Sequence, residues 1–102
     1  MSVVYIAGPM SGIANFNRAA FDIAAQALQR EGHSTLNPAT LPDGLSQRQY
    51  MQICLGMLFC ADAIYLLDGW IHSAGARAEF ALAEKLGLDI HYQTQDMGVM
   101  HG

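Results

Sequence analysis

Short apolar runs alternate along this chain with longer segments in which apolar residues recur every three or four positions. The short runs predict β-strands, and they are residues 3–6, 34–36, 63–67 and 88–92. The longer segments predict three helices. The first begins at a cap formed by Asn15 or Asn17 and ends before Gly32, the second lies near 47–59, and the third lies at about 74–86. Ser46 and Ser73 precede the second and third helices, where a serine side chain commonly caps the first turn.

This order of elements predicts an α/β fold. Strands joined by helices pair in parallel through right-handed crossovers, and the helices then cover both faces of the sheet. We expect a flavodoxin- or Rossmann-like three-layer sandwich, with a short parallel sheet of about four strands in the order 2-1-3-4. Ligands of such sheets bind beyond the carboxyl ends of the strands, where the strand order reverses. The loops at 8–14 and 68–74 are therefore expected to face each other across one crevice.

The apolar faces of the first two helices lead to different expectations. The stripe of the first helix is predicted to be Phe16, Ala20, Ile23, Ala24, Ala27 and Leu28. The second helix is apolar on nearly every face. A helix that is hydrophobic all round is buried all round, and one small domain can cover only one of its sides. We therefore predict a homodimer or higher oligomer through the helix at residues 46–60.

Composition and charge narrow the range of partners. Of the 102 residues, 52 % are hydrophobic and 14 % are charged, which is enough apolar material for one packed domain. We expect residues 1–92 to form that domain and residues 93–102 to form a frayed tail.

The net charge is −4, and no run of lysine or arginine occurs. Polymeric nucleic acids and anionic membranes are bound by basic faces, so neither partner is expected, whereas a single nucleotide needs only a few donors.

The cellular location is predicted from the apolar segments of the chain, and metal binding from the spacing of its cysteines and histidines. No apolar window approaches the roughly 20 residues of a membrane-spanning helix, and the N-terminus lacks the basic start of a signal peptide, so a cytoplasmic location is expected. Cys54 and Cys60 lie six residues apart in one helix, which turns them to roughly opposite faces, and we expect two buried thiols that neither pair nor share a metal. The histidines show no metal-ligand spacing, and they are His33, His72, His91 and His101. No metal and no other cofactor is expected.

Glu79 is the candidate for chemistry in the third helix. It lies within the apolar stripe formed by Ala76, Phe80 and Ala83. A buried carboxylate without a partner is costly, so such a group is usually paired or functional. Helical side chains tilt toward the N-terminus, so Glu79 should point to the crevice, where the helix dipole favours its ionised form. The alternatives are a carboxylate that reaches solvent at the edge of the stripe, or one paired with a basic residue.

Two glycine-bearing loops precede helices at the same crevice. Ser73 and Gly75 stand at the start of the third helix, where free amides could bind a phosphate or carboxylate, although plain capping explains the same residues. Gly8, Met10 and Ser11 follow the first strand in a loop that matches neither of the common phosphate-binding motifs, so an ordinary turn is the alternative.

Three further residues lie near the expected crevice. Trp70 could stack on a base, and Tyr5 ends the first strand, although either side chain could simply be packed. Asp68 lies at the crevice end of the third strand.

Taken together, these segments resemble a known family. The residues Tyr5–Gly12 are similar to the opening strand and loop of nucleoside 2-deoxyribosyltransferase-like proteins. Ser73–Glu79 resembles their second motif, a polar residue and a glycine followed four positions later by glutamate. The stretch at 60–70 most resembles a short, mostly uncharacterised branch of that superfamily, the DUF4406 group. The resemblance extends to Tyr92.

The resemblance implies a mechanism and a site. In the family, the motif glutamate attacks the anomeric carbon of a 2-deoxynucleoside, and the sugar passes to a second base or, in the similar 2-deoxynucleoside 5′-monophosphate N-hydrolases, to water. By this resemblance Glu79 would be the nucleophile and Tyr5 would orient it. Serine rather than aspartate at Ser73 favours a nucleotide with a 5′-phosphate, in a pocket completed by Gly8, Ser11 and Gly75. No cofactor is implied.

Two departures keep other functions open. Where the family carries an aspartate eight positions before Asp62, this chain has Cys54, and it also ends before the fifth strand of longer relatives. Three hypotheses therefore remain: an N-glycosidase or deoxyribosyltransferase, a non-catalytic nucleotide-binding module, and a structural or interaction protein that uses the second helix.

Overall fold

A computed structural model describes residues 1–94 of the chain. Within these residues four parallel strands form one sheet in the order β2-β1-β3-β4, which confirms the predicted order. The strands are β1 (Val3–Ala7), β2 (Ser34–Leu36), β3 (Ala63–Leu66) and β4 (Asp89–Tyr92). The predicted tail begins at Gln93, and its residues 95–102 lie outside the described part of the chain.

Three α-helices cover the two faces of the sheet. They are α1 (Arg18–Arg30), α2 (Gln47–Phe59) and α3 (Ala74–Leu86). On one face Val4 and Ile6 pack with α1, and on the other Tyr5 and Ala7 pack with α2 and α3. Alternate residues of a strand point to opposite faces, so β1 contributes to both cores. This is the three-layer α/β architecture that the sequence predicts.

The helix caps agree with the sequence in two of three cases. Ser46 caps α2 in a complete capping box, in which its hydroxyl accepts from the Gln49 amide. Ser73 caps α3 by accepting from the Ala76 amide. Asn17 occupies the N-cap of α1 but makes no capping bond, because its side chain donates to the Pro9 carbonyl instead.

The predicted apolar stripe of α1 is partly wrong. The buried residues of the helix are Phe21, Ala24, Ala25 and Leu28. Ile23 is 65 % exposed, and Phe16 precedes the helix in a turn of left-handed residues. Phe21 supplies the large side chain of this face, because the i, i+3, i+4, i+7 spacing that points to the sheet starts at its position.

The second helix is less buried than its composition suggests. Only Cys54 and Leu58 are buried, whereas Ile53 and Phe59 are exposed. The expectation of two buried thiols is wrong for Cys60, which caps the C-terminus of α2 and is exposed. Across residues 1–94, no helix combines the length and the apolarity that crossing a bilayer requires.

Pairing of two copies through α2 stays a prediction. We expect sedimentation velocity at micromolar concentration to give the mass of a dimer or higher oligomer, because Ile53 and Phe59 would otherwise remain in water. Serine at both positions should shift the protein to monomer. A monomer for the unsubstituted chain at that concentration would contradict the prediction.

Candidate active site

A cavity opens at the carboxyl end of β1, between the first two turns of α2 and α3 and the loop that follows β1. Its volume is about 120 Å³. Seven of the nine residues expected at the site line it, and they are Tyr5, Gly8, Met10, Ser11, Ser73, Gly75 and Glu79. The parallel strand order thus brings the two glycine-bearing loops to one crevice, as the topology requires.

Glu79 lies at the wall of this cavity as a buried carboxyl group. Its residue is 6 % exposed, and Ala76 and Ala83 flank it on the buried face of α3. The Tyr5 hydroxyl donates to Glu79 Oε2 at 2.8 Å, and Tyr5 itself is 1 % exposed. No salt bridge to Glu79 is formed within residues 1–94. Both alternatives, a solvent-facing carboxylate and one paired with a base, are therefore absent from this part of the chain.

Burial dominates the protonation of this pair. It raises the pKa of Glu79 to about 7, and the hydrogen bond from Tyr5 opposes the shift only in part. The expected preference for the ionised form at the helix N-terminus is thus outweighed by the loss of hydration. Burial, with the nearby Glu79 charge as the second cause, also raises the pKa of Tyr5 far above its ordinary range, so the phenol keeps its proton. Tyr5 is therefore a permanent donor, and Glu79 exchanges its proton near neutral pH.

Cys54 is the third titratable group against this pair. It is 6 % exposed, lines the cavity, and belongs to the same core cluster as Tyr5. Burial raises the pKa of its thiol, the neighbouring Tyr5 hydroxyl acts in the opposite sense, and Glu79 raises it further. The thiol is consequently neutral at physiological pH.

The first glycine loop is held close to the sheet. A Cβ atom at Gly8 would lie 2.8 Å from the Cβ of the buried Leu67, so glycine is required there. Ser11 is exposed at the rim, and its hydroxyl accepts from Gln47 at 3.4 Å. The loop can therefore approach a ligand with its backbone while the Ser11 side chain meets the edge.

The second loop opens α3. The Ser73 hydroxyl accepts from the Ala76 amide at 3.2 Å, which leaves the hydroxyl hydrogen available to donate toward a ligand. A Cβ atom at Gly75 would make an ordinary contact with Met51 Sδ at 3.5 Å. Glycine at this position is thus not forced by the protein's own packing, and it leaves the helix amides open to the cavity.

Asp68 and Trp70 do not line the cavity. The Trp70 ring packs against Phe80 at 4.8 Å and Tyr92 at 6.2 Å between centroids, so the packing alternative describes it. The Asp68 amide donates to the Gln93 side chain, and its carboxylate accepts from the Thr94 hydroxyl. Gly69 takes a left-handed conformation between them, and the turn carries both side chains toward β4 and the chain end.

Several lining residues were not anticipated, namely Phe16, Gln47, Tyr50 and Met51. Gln47, Tyr50, Met51 and Cys54 follow the i, i+3, i+4, i+7 spacing of one helical face, so the signal was present in α2. It was hidden because apolar residues also lie on the other faces of this helix. Phe16 lies in a run of three non-glycine residues with positive φ. Asparagine is enriched in that region but phenylalanine is not, so the sequence does not predict the conformation at Phe16.

The charge distribution of the cavity is simple. Among the described residues that line it, Glu79 alone bears a full charge when ionised. Hydroxyl groups, the Gln47 side-chain amide and helix amides are the donors that remain for an anionic group of a ligand. The described residues contain no group of three His, Cys, Asp or Glu side chains placed to hold a metal ion.

Comparison with known proteins gives one family. The family model described as a domain of unknown function, DUF4406, matches residues 2–92, which cover all the strands and helices above. No curated protein matches the chain. The chain therefore belongs to the DUF4406 family.

Proposed function

We propose that this domain cleaves the N-glycosidic bond of a 2-deoxynucleotide or nucleoside, with Glu79 as the nucleophile. The observation that carries the proposal is the buried Glu79 carboxyl group, held by Tyr5 at the wall of an open cavity. A carboxyl group with a pKa of about 7 is ionised in a large fraction of molecules at neutral pH and is poorly hydrated. Both properties suit covalent catalysis.

The chemistry follows the two-step course of retaining glycosidases. One carboxylate oxygen attacks the anomeric carbon, the carbon–nitrogen bond breaks, and its electron pair leaves with the base. A glycosyl ester of Glu79 forms. Water, or a nitrogen of a second base, then attacks the same carbon and releases the carboxylate. Because Tyr5 bonds Oε2, the other oxygen of Glu79 would meet the sugar.

The size of the cavity supports a substrate that is only partly enclosed. Its volume of about 120 Å³ is below the roughly 300–1,000 Å³ of pockets that surround a drug-sized ligand. The sugar would therefore lie beside Glu79, with the base and any phosphate toward the rim. Ser11 and the start of α3 at Ser73 and Gly75 supply donors there, which favours a 5′-phosphate.

A second candidate is a nucleotide-binding module without turnover. Cys54 favours it, because a neutral thiol contributes no second carboxyl group to protonate the departing base. In this second candidate function the cavity and the class of ligand are the same, but Glu79 would accept hydrogen bonds from the sugar hydroxyls.

Incubation with each of the common 2-deoxynucleosides and their 5′-monophosphates tests the proposal. We expect the purified protein to release free base, with monophosphates preferred over nucleosides, and chromatography at the base absorbance measures it. Saturable binding with no base release from any of them would favour the binding module. Neither binding nor release would contradict both candidates.

A further inference from the structure

An aromatic side chain lies at the mouth of the cavity, outside the core of the domain. Phe16 lines the cavity, yet the residue is 45 % exposed. The short turn at Ala14–Asn17 that carries it contains no buried residue. One exposed apolar side chain is ordinary at a protein surface, but the way in which this one is held is not.

The backbone at Phe16 is held in an unfavourable conformation. Phe16 has φ 55° and ψ 27°, and its neighbours Asn15 and Asn17 also have positive φ. Asparagine tolerates this left-handed region, whereas phenylalanine rarely adopts it. The Asn17 side chain donates to the Pro9 carbonyl and the Phe16 amide donates to the Ile13 carbonyl, so hydrogen bonds hold the turn. Strain that is maintained beside a cavity points to a function of the strained residue at that cavity.

A cation covers one face of the Phe16 ring. The Arg18 guanidinium carbon lies over the ring, 5.2 Å from its centroid, which is within the range of a cation–π contact. Arg18 also donates to the Asn15 side chain and forms an ion pair with Asp43. Arg18 is not among the described residues that line the cavity, whereas Phe16 is. The ring is therefore anchored on one face, and its opposite face is available to a planar group of a ligand.

We propose that Phe16 stacks on the base of the bound deoxynucleotide, which rests on the proposed function. A cavity of about 120 Å³ holds little more than the sugar, so the base would lie at the mouth, where Phe16 is exposed. Every nucleobase has a π-face, so an aromatic side chain can bind it without a hydrogen bond. Trp70 does not supply this contact, because its ring packs against Phe80 and Tyr92 away from the cavity lining.

Two ligands that differ only in the base separate stacking from a general effect on the cavity. They are 2-deoxyadenosine 5′-monophosphate and 2-deoxyribose 5-phosphate, and calorimetry measures their binding to the Glu79→Gln protein, which should cleave neither. We expect Phe16→Leu in this protein to weaken nucleotide binding about tenfold or more, because leucine has similar bulk but no π-face. Binding of the sugar phosphate should change by less than about twofold, since it has no base to stack.

Two further variants control for the substitution. Phe16→Tyr keeps the ring and should bind both ligands as the parent protein does. Ile13→Ala is the matched control, because Ile13 is also exposed in the loop that follows β1 but is not among the described residues that line the cavity. If the leucine variant does not fold, Phe16→Met gives the same comparison.

Equal nucleotide affinity for Phe16→Leu and its parent would overturn the inference, as would an equal loss for both ligands, which indicates only a change in the shape of the cavity. The first result, together with base release by the unsubstituted protein, would leave the proposed function standing. A loss confined to the nucleotide, in a protein that releases no base, would support stacking and defeat cleavage. No binding of either ligand by the parent protein would overturn both.

Discussion

Replacing Glu79 by glutamine is expected to lower the rate of base release by about a thousandfold or more. The amide has nearly the volume of the carboxyl group, and its carbonyl oxygen can still accept from the Tyr5 hydroxyl, so the cavity keeps its shape. The amide is not a nucleophile toward the anomeric carbon, so no glycosyl ester can form. Initial rates of base formation at saturating deoxynucleotide, compared with the unsubstituted protein, measure the loss.

The control for this substitution lies on the same helix. Glu84 is exposed, and Glu84→Gln should leave the rate of base release unchanged. In the unsubstituted protein the rate should rise as pH increases through about 7, because only the ionised form of Glu79 attacks. A Glu79→Gln protein that keeps a tenth or more of the rate would contradict the assignment of Glu79 as nucleophile.

The fold was predictable because it depends on patterns that are local in sequence. The unbroken apolar run of β3 requires burial on both faces, and the regular spacing of the helices then fixes a three-layer order. The burial of Glu79 was suggested in the same way, by its position inside the apolar stripe of α3, although the pattern alone also allowed a carboxylate at the edge of the stripe. Ser46 and Ser73 were identified as caps from their positions before each helix.

The positions of Trp70, Asp68 and Phe16 were not predicted correctly, because they depend on backbone angles that the pattern of apolar residues does not encode. Trp70 and Asp68 lie within a few residues of the crevice, but around the left-handed Gly69 the Trp70 ring packs against Phe80 and Tyr92, and Asp68 contacts the side chains that follow β4. Phe16 reaches the cavity only because Asn15, Phe16 and Asn17 adopt positive φ, which costs energy for residues with a side chain. Such conformations are imposed by the packing around a site.

Cys54 shows a further limit of sequence analysis. Its position on α2 predicts burial, but contact with Tyr5 depends on how α2 is rotated against β1, and that rotation is fixed by packing along the whole helix. The same rotation turns Gln47, Tyr50 and Met51 toward the cavity. The sequence can therefore predict which elements border the site more readily than which side chains complete it.

Glu79 is also expected to lower the stability of the domain at neutral and higher pH. The pKa of the buried carboxyl group is raised from 4.5 to about 7, so the folded state holds the proton that the unfolded state has already released. The contribution of Glu79 to stability is fully present below pH 4.5 and is lost as pH rises through about 7. Above that pH a shift of this size corresponds to about 3 kcal/mol, at 1.36 kcal/mol per pKa unit. Glu79→Gln removes the titration, so the variant should be more stable than the unsubstituted protein at pH 8 by about 2–3 kcal/mol.

Urea unfolding at pH 4 and at pH 8 measures this difference. At pH 4 the carboxyl group is protonated in both states, so the two proteins should unfold at similar urea concentrations. At pH 8 the unfolding midpoint of Glu79→Gln should lie well above that of the unsubstituted protein, whereas Glu84→Gln on the exposed face of α3 should change little between the two pH values. Equal midpoints at pH 8 would show that Glu79 is ionised without cost in the folded protein. If Glu79→Gln both gains stability at pH 8 and loses base release, the pair of results would support a catalytic carboxylate, because function can retain a group that destabilises the fold.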